Sequence, residues 1–203
     1  MEGYYAAEIT ADSHVNEKNE TLVTFRIKEG DIVRIKDIRF EGNTVFDEGD
    51  IRAAMDTKEK LIFSWITDRG NYNELLLKQD LERIADLYFD EGYVRVKVRE
   101  PVISLVDNDK HMLLLIHIDE GPQYRMGTVD VQGDLTRDKE ELLALVGLNP
   151  GDVFSRGQLR KGVEVVTDVY ADQGYAYANV SPLTRANDES KLIDMMLDIE
   201  QGP

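Results

Sequence analysis

One stretch of this chain occurs twice. Leu81–Val98, LERIADLYFDEGYVRVKV, lies on Val163–Val180, VEVVTDVYADQGYAYANV, at a constant offset of 82 positions that carries Tyr88 to Tyr170, Gly92 to Gly174 and Tyr93 to Tyr175. Self-similarity at a fixed period constrains the fold more than any local propensity, because each copy must be one structural unit of an array. Within the first copy, Leu77, Leu81, Ile84 and Tyr88 follow the i, i+4, i+7, i+11 spacing of a buried helical stripe. Leu159, Val163, Val166 and Tyr170 repeat it. Gly92 and Gly174 then stop the helices, as a left-handed C-terminal position does. After Gly92 the period falls to two: Val94, Val96 and Val98 alternate with Arg95, Lys97 and Arg99, the pattern of a strand with one face on a core and one in water.

A Gly-Tyr pair opens three similar segments. They run from Gly3-Tyr4 to Glu29-Gly30, from Gly92-Tyr93 to Gly121-Pro122 and from Gly174-Tyr175 to Gly202-Pro203. The chain is therefore expected to open inside a repeat, at a closing hairpin, as an internal fragment with a start methionine added. Full repeats begin with strand-like DIVRIKDIRF (31–40) and with Arg125–Val131, each closed by a glycine turn at Gly42 or Gly133. Phe46 with Asp47 and Asp50 marks a helix entry, Asn73 is a plausible cap for the second helix, and Ser155-Arg156-Gly157-Gln158 reads as a capping box. Met112–Ile118, less polar on both faces than the strand before it, is the better candidate for the middle of the sheet. Each full repeat is then strand, helix, helix, strand, strand: an α+β layer fold, with residues 1–30 a fragment and residues 31–121 and 122–203 the two domains.

The two copies differ in one place. The turn and first helix align at an offset of 91 (Gly42 to Gly133, Ile51 to Leu142), so the first full repeat carries nine more residues between its helices. These fall in 58–72 and include Phe63 and Trp65. Such an apolar insertion is either a lid packed over the helices, the reading preferred here, or an exposed contact loop.

Composition removes whole classes of function. A net charge of -16 disfavours nucleic-acid backbones and anionic lipid as partners. With no cysteine there is neither a disulfide framework nor a thiolate metal site. His14, His111 and His117 form no H-E-x-x-H pattern, no nucleophile elbow is present, and the 40 acidic residues are spread as on a solvated surface. An enzyme, a metal site and a cofactor are not expected. No apolar run approaches the roughly 18 residues of a membrane-spanning helix.

Taken together, RFEGN (39–43) with VQGD (131–134), YFDEGYVRV with YADQGYAYANV, and the closing IDEGP and IEQGP resemble the POTRA domains of the Omp85 family of outer-membrane assembly factors. The resemblance covers the whole chain. FSWITDRGNYN (63–73) is similar to the long third POTRA of such an arm, LNPGDVFSRGQL and GYAYANV to the fourth, and residues 1–30 to the end of the second. It implies tandem domains, each a three-stranded mixed sheet packed on two helices, in a periplasmic arm of a Gram-negative outer-membrane protein. It further implies a C-terminal membrane β-barrel that is absent from this sequence, with accessory lipoproteins and unfolded outer-membrane proteins as partners. A two-partner secretion transporter, a translocation-and-assembly relative or a division-type scaffold are the alternatives within that resemblance. Partners would add a strand to the sheet edge, which the resemblance places at Tyr93, Val94, Arg95, Val96, Lys97 and Val98, and at Tyr175, Ala176, Tyr177, Ala178, Asn179 and Val180. The outward trio Arg95, Lys97 and Arg99 either recruits acidic strands or protects the edge from unwanted pairing.

Overall fold

The computed structural model describes residues 8–15, 19–28, 33–59 and 71–202. Phe63 and Trp65 lie outside them, and so does the choice between lid and contact loop.

Two strands open the described chain. β1 (Glu8–Val15) and β2 (Thr21–Lys28) form an antiparallel hairpin in which Ile9 pairs with Ile27, Ala11 with Phe25 and Ser13 with Val23. Because side chains alternate along a strand, these residues share one face, while Glu8, Thr10, Asp12 and His14 occupy the other. Every residue of both strands is exposed.

The first full repeat runs β3 (Arg34–Glu41), α1 (Glu48–Ala54), α2 (Glu74–Asp90), β4 (Lys97–Val98), β5 (Val102–Val106) and β6 (His111–Asp119). The second runs β7 (Arg125–Gly133), α3 (Lys139–Val146), α4 (Arg156–Asp172), β8 (Asn179–Asn187) and β9 (Leu192–Glu200). In both, the last strand is central: β6 pairs parallel with β3 and antiparallel with β5, and β9 pairs parallel with β7 and antiparallel with β8. Burial explains why. Met112, Leu114, Ile116 and Ile118 of β6, and Ile193, Met195, Leu197 and Ile199 of β9, all turn to the core, and each such side chain contributes about 1.5–3 kcal/mol.

The helices form where the stripes lie. Leu77, Ile84 and Tyr88 of α2 are buried, as are Leu159, Val166 and Tyr170 of α4, with both tyrosines fully inaccessible. Asp47 caps α1 by accepting from the Asp50 amide at 2.9 Å, and Asn73 caps α2 by accepting from Leu76 at 3.1 Å. Ser155 caps α4 through the Gln158 amide at 3.2 Å, but the other arm of the expected capping box is not closed. The Gln158 side chain donates instead to the carbonyl of Gly147, the left-handed residue that ends α3.

By contacts the chain divides into two compact units, and the division runs through α2 rather than between the repeats. One unit holds the residues up to Glu82 with Arg99–Ile118, and the other holds Arg83–Val98 with the chain from Asp119 onward. In the second unit the core gathers Tyr124, Met126, Val131, Leu142, Phe154, Val166 and Tyr170 beneath β9, and Val94 packs on its margin.

Candidate partner-binding edge

The edge strands do not begin where the sequence pattern placed them. Tyr93 donates its amide to the Tyr88 carbonyl at 3.0 Å and Val96 donates to Tyr93 at 3.1 Å; Tyr175 and Tyr170, then Ala178 and Tyr175, repeat these bonds at 3.0 and 3.1 Å. The first is the six-to-one bond of a Schellman helix end, and the second closes a turn. Amides spent in this way cannot enter a ladder, so residues 93–96 and 175–178 are turn and the strands start at Lys97 and Asn179. Of the twelve residues expected at the edges, Lys97, Val98, Asn179 and Val180 are in strands. The alternation itself holds, since Val94, Val96 and Val98 are half-buried and Arg95, Lys97 and Arg99 exposed.

β8 is one edge of the second repeat, bordered by β9 on one side only; β7 is the other, and its first residue Arg125 is bridged by Val153. Of the nine residues of β8 only Val180 is buried, and Pro182 to Asn187 are all exposed. Pro182 pairs with Leu197 and has no N–H to give to β9. In an antiparallel ladder alternate residues face the partner strand, so Pro182, Thr184 and Ala186 share the parity that points its backbone to the open side. In the first repeat β5, after Pro101, pairs with β6, and its Val102 and Leu105 are exposed.

Arg95 neither recruits nor repels as an unengaged charge. Its guanidinium donates to Asp188 through Nε at 3.1 Å and Nη2 at 2.9 Å, and the Tyr124 hydroxyl donates to the same carboxylate at 2.5 Å. The Tyr124 hydrogen bond and then the Arg95 contact hold the Asp188 carboxyl below the usual carboxylate range. Nearby, Asp90 accepts from the Gly157 amide at 2.5 Å, capping an orphan donor in the first turn of α4, and Arg156 donates to Asp86 at 3.0 Å with its guanidinium over the Phe89 ring.

These contacts frame a groove of about 500 Å³ within the second compact unit, lined by Phe89, Val94, Arg95, Phe154, Arg156, Leu159, Ile193 and, from the open edge, Pro182, Thr184 and Ala186. Of the residues expected from sequence, Val94 and Arg95 are brought to this groove, whereas Tyr175 and Tyr177 are exposed on the other Gly-Tyr turn. Sequence reasoning missed Phe89, Phe154 and Arg156. Arg156 did carry a signal: a cation at a helix N-terminus opposes the macrodipole and requires a partner elsewhere, here Asp86. Among the described residues no cluster of side chains is suited to hold a metal ion, and no helix is long and apolar enough to cross a membrane.

Two αβ layers, each with its last strand in the middle of the sheet, define the class of module. The POTRA family profile, described as the surface antigen variable number repeat, matches residues 33–121 and 124–202, so the chain belongs to the POTRA family. It is similar to the outer membrane protein assembly factor BamA of Neisseria meningitidis, 30% identical over 186 residues that make up 91% of this chain and 23% of that protein. The BamA of Nitratidesulfovibrio vulgaris is 28% identical over 200 residues, 96% of this chain and 25% of that protein. The chain thus spans about a quarter of the length of these relatives. The crystal structure of Haemophilus influenzae BamA POTRA3-5 superposes with a TM-score of 0.64 at 22% identity, covering 84% of this chain and 67% of that one, which shows the shared fold.

Proposed function

We propose that this chain is part of the periplasmic POTRA arm of a Gram-negative outer-membrane protein assembly factor, and that it binds accessory lipoproteins and unfolded outer-membrane proteins by adding their strands to its sheet edges. The observation that carries this reading is β8, a nine-residue strand open on one side and exposed from Pro182 to Asn187. Strand addition draws its affinity from main-chain hydrogen bonds and asks little of the client's sequence, which suits a receiver of many chains. The names of the curated relatives support the setting. Residues 1–30 are read as the closing hairpin of a further repeat. The face of β1–β2 that carries Val23, Phe25 and Ile27 has the register that β9 devotes to Met195, Leu197 and Ile199.

Thr184→Pro tests the edge. It removes a backbone N–H on the open side of β8 while leaving the β9 ladder in place, so the melting temperature is expected to hold while photo-crosslinking from β8 to an unfolded outer-membrane protein falls at least about fivefold. Crosslinking undiminished in a folded Thr184→Pro protein would remove strand addition at this edge.

A further inference from the structure

The groove beside β8 has a composition at odds with the chain around it. Its two charged liners are both arginines, Arg95 and Arg156, in a protein of net charge -16, and its floor is aromatic and aliphatic: Phe89, Phe154, Leu159 and Ile193. Both guanidiniums are paired, with Asp188 and Asp86, but all four side chains are more than half exposed. Exposed pairs of this kind are weak, and an incoming carboxylate can exchange for either at little cost. The side chains of β8 on this side, Pro182, Thr184 and Ala186, are uncovered, whereas Val180 before them is buried. The edge strand therefore overhangs its own core, and the groove continues from the open backbone of the strand.

We propose that this groove is the side-chain site of the added strand: it takes an extended peptide segment in which an aromatic or large aliphatic residue enters between Phe89, Phe154 and Leu159 and an acidic residue two positions along reaches Arg156. The inference rests on the strand-addition reading and adds a preference to it. On a pleated strand, alternate side chains face the same way, so a peptide paired to β8 sends every second residue toward the groove. Main-chain bonds give affinity without selection, and a pocket for alternate side chains gives selection. Clients that carry an acidic residue among the apolar residues of the groove-facing set are favoured over those with a basic one there.

The test uses the 203-residue chain and a fluorescein-labelled nine-residue peptide, matched to β8 in length, that alternates phenylalanine with threonine and carries glutamate in place of one phenylalanine, so that both kinds of side chain share the groove-facing side. Fluorescence anisotropy is expected to show binding that weakens about tenfold when phenylalanine is replaced by serine and severalfold when glutamate is replaced by lysine. N-methylation of alternate peptide amides is expected to abolish it. In the protein, Ala186→Trp fills the groove from an exposed position and is expected to weaken the parent peptide about tenfold; Arg156→Gln is expected to erase the difference between the glutamate and lysine peptides. If N-methylation abolishes binding but the serine peptide and Ala186→Trp behave as their parents do, strand addition stands and the groove proposal is overturned. If the N-methylated peptide binds as tightly as the parent, strand addition itself fails and the proposal fails with it. The peptide substitutions need no change in the protein, so a poorly folded Ala186→Trp leaves the comparison decisive.

Discussion

A β-carbon built on Gly133, at a φ of +98°, would lie 2.1 Å from the Ile199 carbonyl oxygen, and one on Gly42, at +89°, would meet the Ile118 carbonyl oxygen at the same distance. Gly133 is the last residue of β7 and Gly42 follows β3, each against the end of the parallel central strand, so they answer two demands at once, a left-handed backbone and a close approach. Gly174 has nearly the same φ, +97°, with nothing within 4 Å. Gly174→Ala is therefore expected to cost about 1–2 kcal/mol and Gly133→Ala about 2–4 kcal/mol, the difference in thermal or urea denaturation isolating the steric part. Asp80 is the other residue whose chemistry exceeds what its position announced. It is fully buried, three residues beyond Leu77 and four before Ile84, and accepts from the Asp56 and Thr57 amides at 2.8 and 2.7 Å. An apolar-only search of the stripe passes over it, although its register alone places it on the buried face. Asp80→Ala strands two donors, and a loss of about 2–3 kcal/mol is expected in chemical denaturation, with Asp80→Asn intermediate because an amide oxygen serves one donor better than two.

At the scale of the element, periodicity and hydrogen bonding parted company. The alternation after Gly92 correctly separated a core-facing set from a solvent-facing set. It did not show that Tyr93 and Val96 spend their amides on Tyr88 and Tyr93, which delays the strand. A period of two reports which way side chains point; only the backbone partners decide whether the segment is a strand. Caps were legible because they depend on one residue and a fixed spacing: Asp47, Asn73 and Ser155 all accept from the amide three residues on. The destination of the Gln158 side chain was not legible, because its acceptor Gly147 belongs to the end of another helix. Ser155→Ala is expected to cost about 1 kcal/mol, and Gln158→Ala a similar or smaller amount; additivity of the two in a double variant would show that the cap and the bond to Gly147 act independently.

Over the whole molecule, the repeat legible from Tyr88 and Tyr170 fixed the element order, the central last strand and the buried tyrosines. The groove was not legible, because its walls come from segments roughly 90 positions apart, as Arg95 and Asp188 are. Asp188 gives that pair a pH dependence. With the Asp188 carboxyl held below its ordinary range by the Tyr124 hydroxyl and Arg95, its contribution is complete above the unfolded-state value near pH 4 and is lost as pH falls through the folded one. An NMR titration of Asp188 is expected to show a depressed midpoint that rises toward the ordinary value in Tyr124→Phe and, by a smaller step, in Arg95→Gln.

The hairpin of β1 and β2 has a consequence for how the molecule breathes. Among the described residues neither face of its ladder is buried: Ile9, Val23, Phe25 and Ile27 are all about half exposed or more, whereas the matching face of β9 is sealed. Two strands without a packed face hold their hydrogen bonds only marginally. In deuterium oxide the amides of β1 and β2 are expected to exchange within the shortest labelling times while those of β6 and β9 persist until global opening, so a mass-spectrometric exchange profile would divide one chain into a fast clock and a slow one.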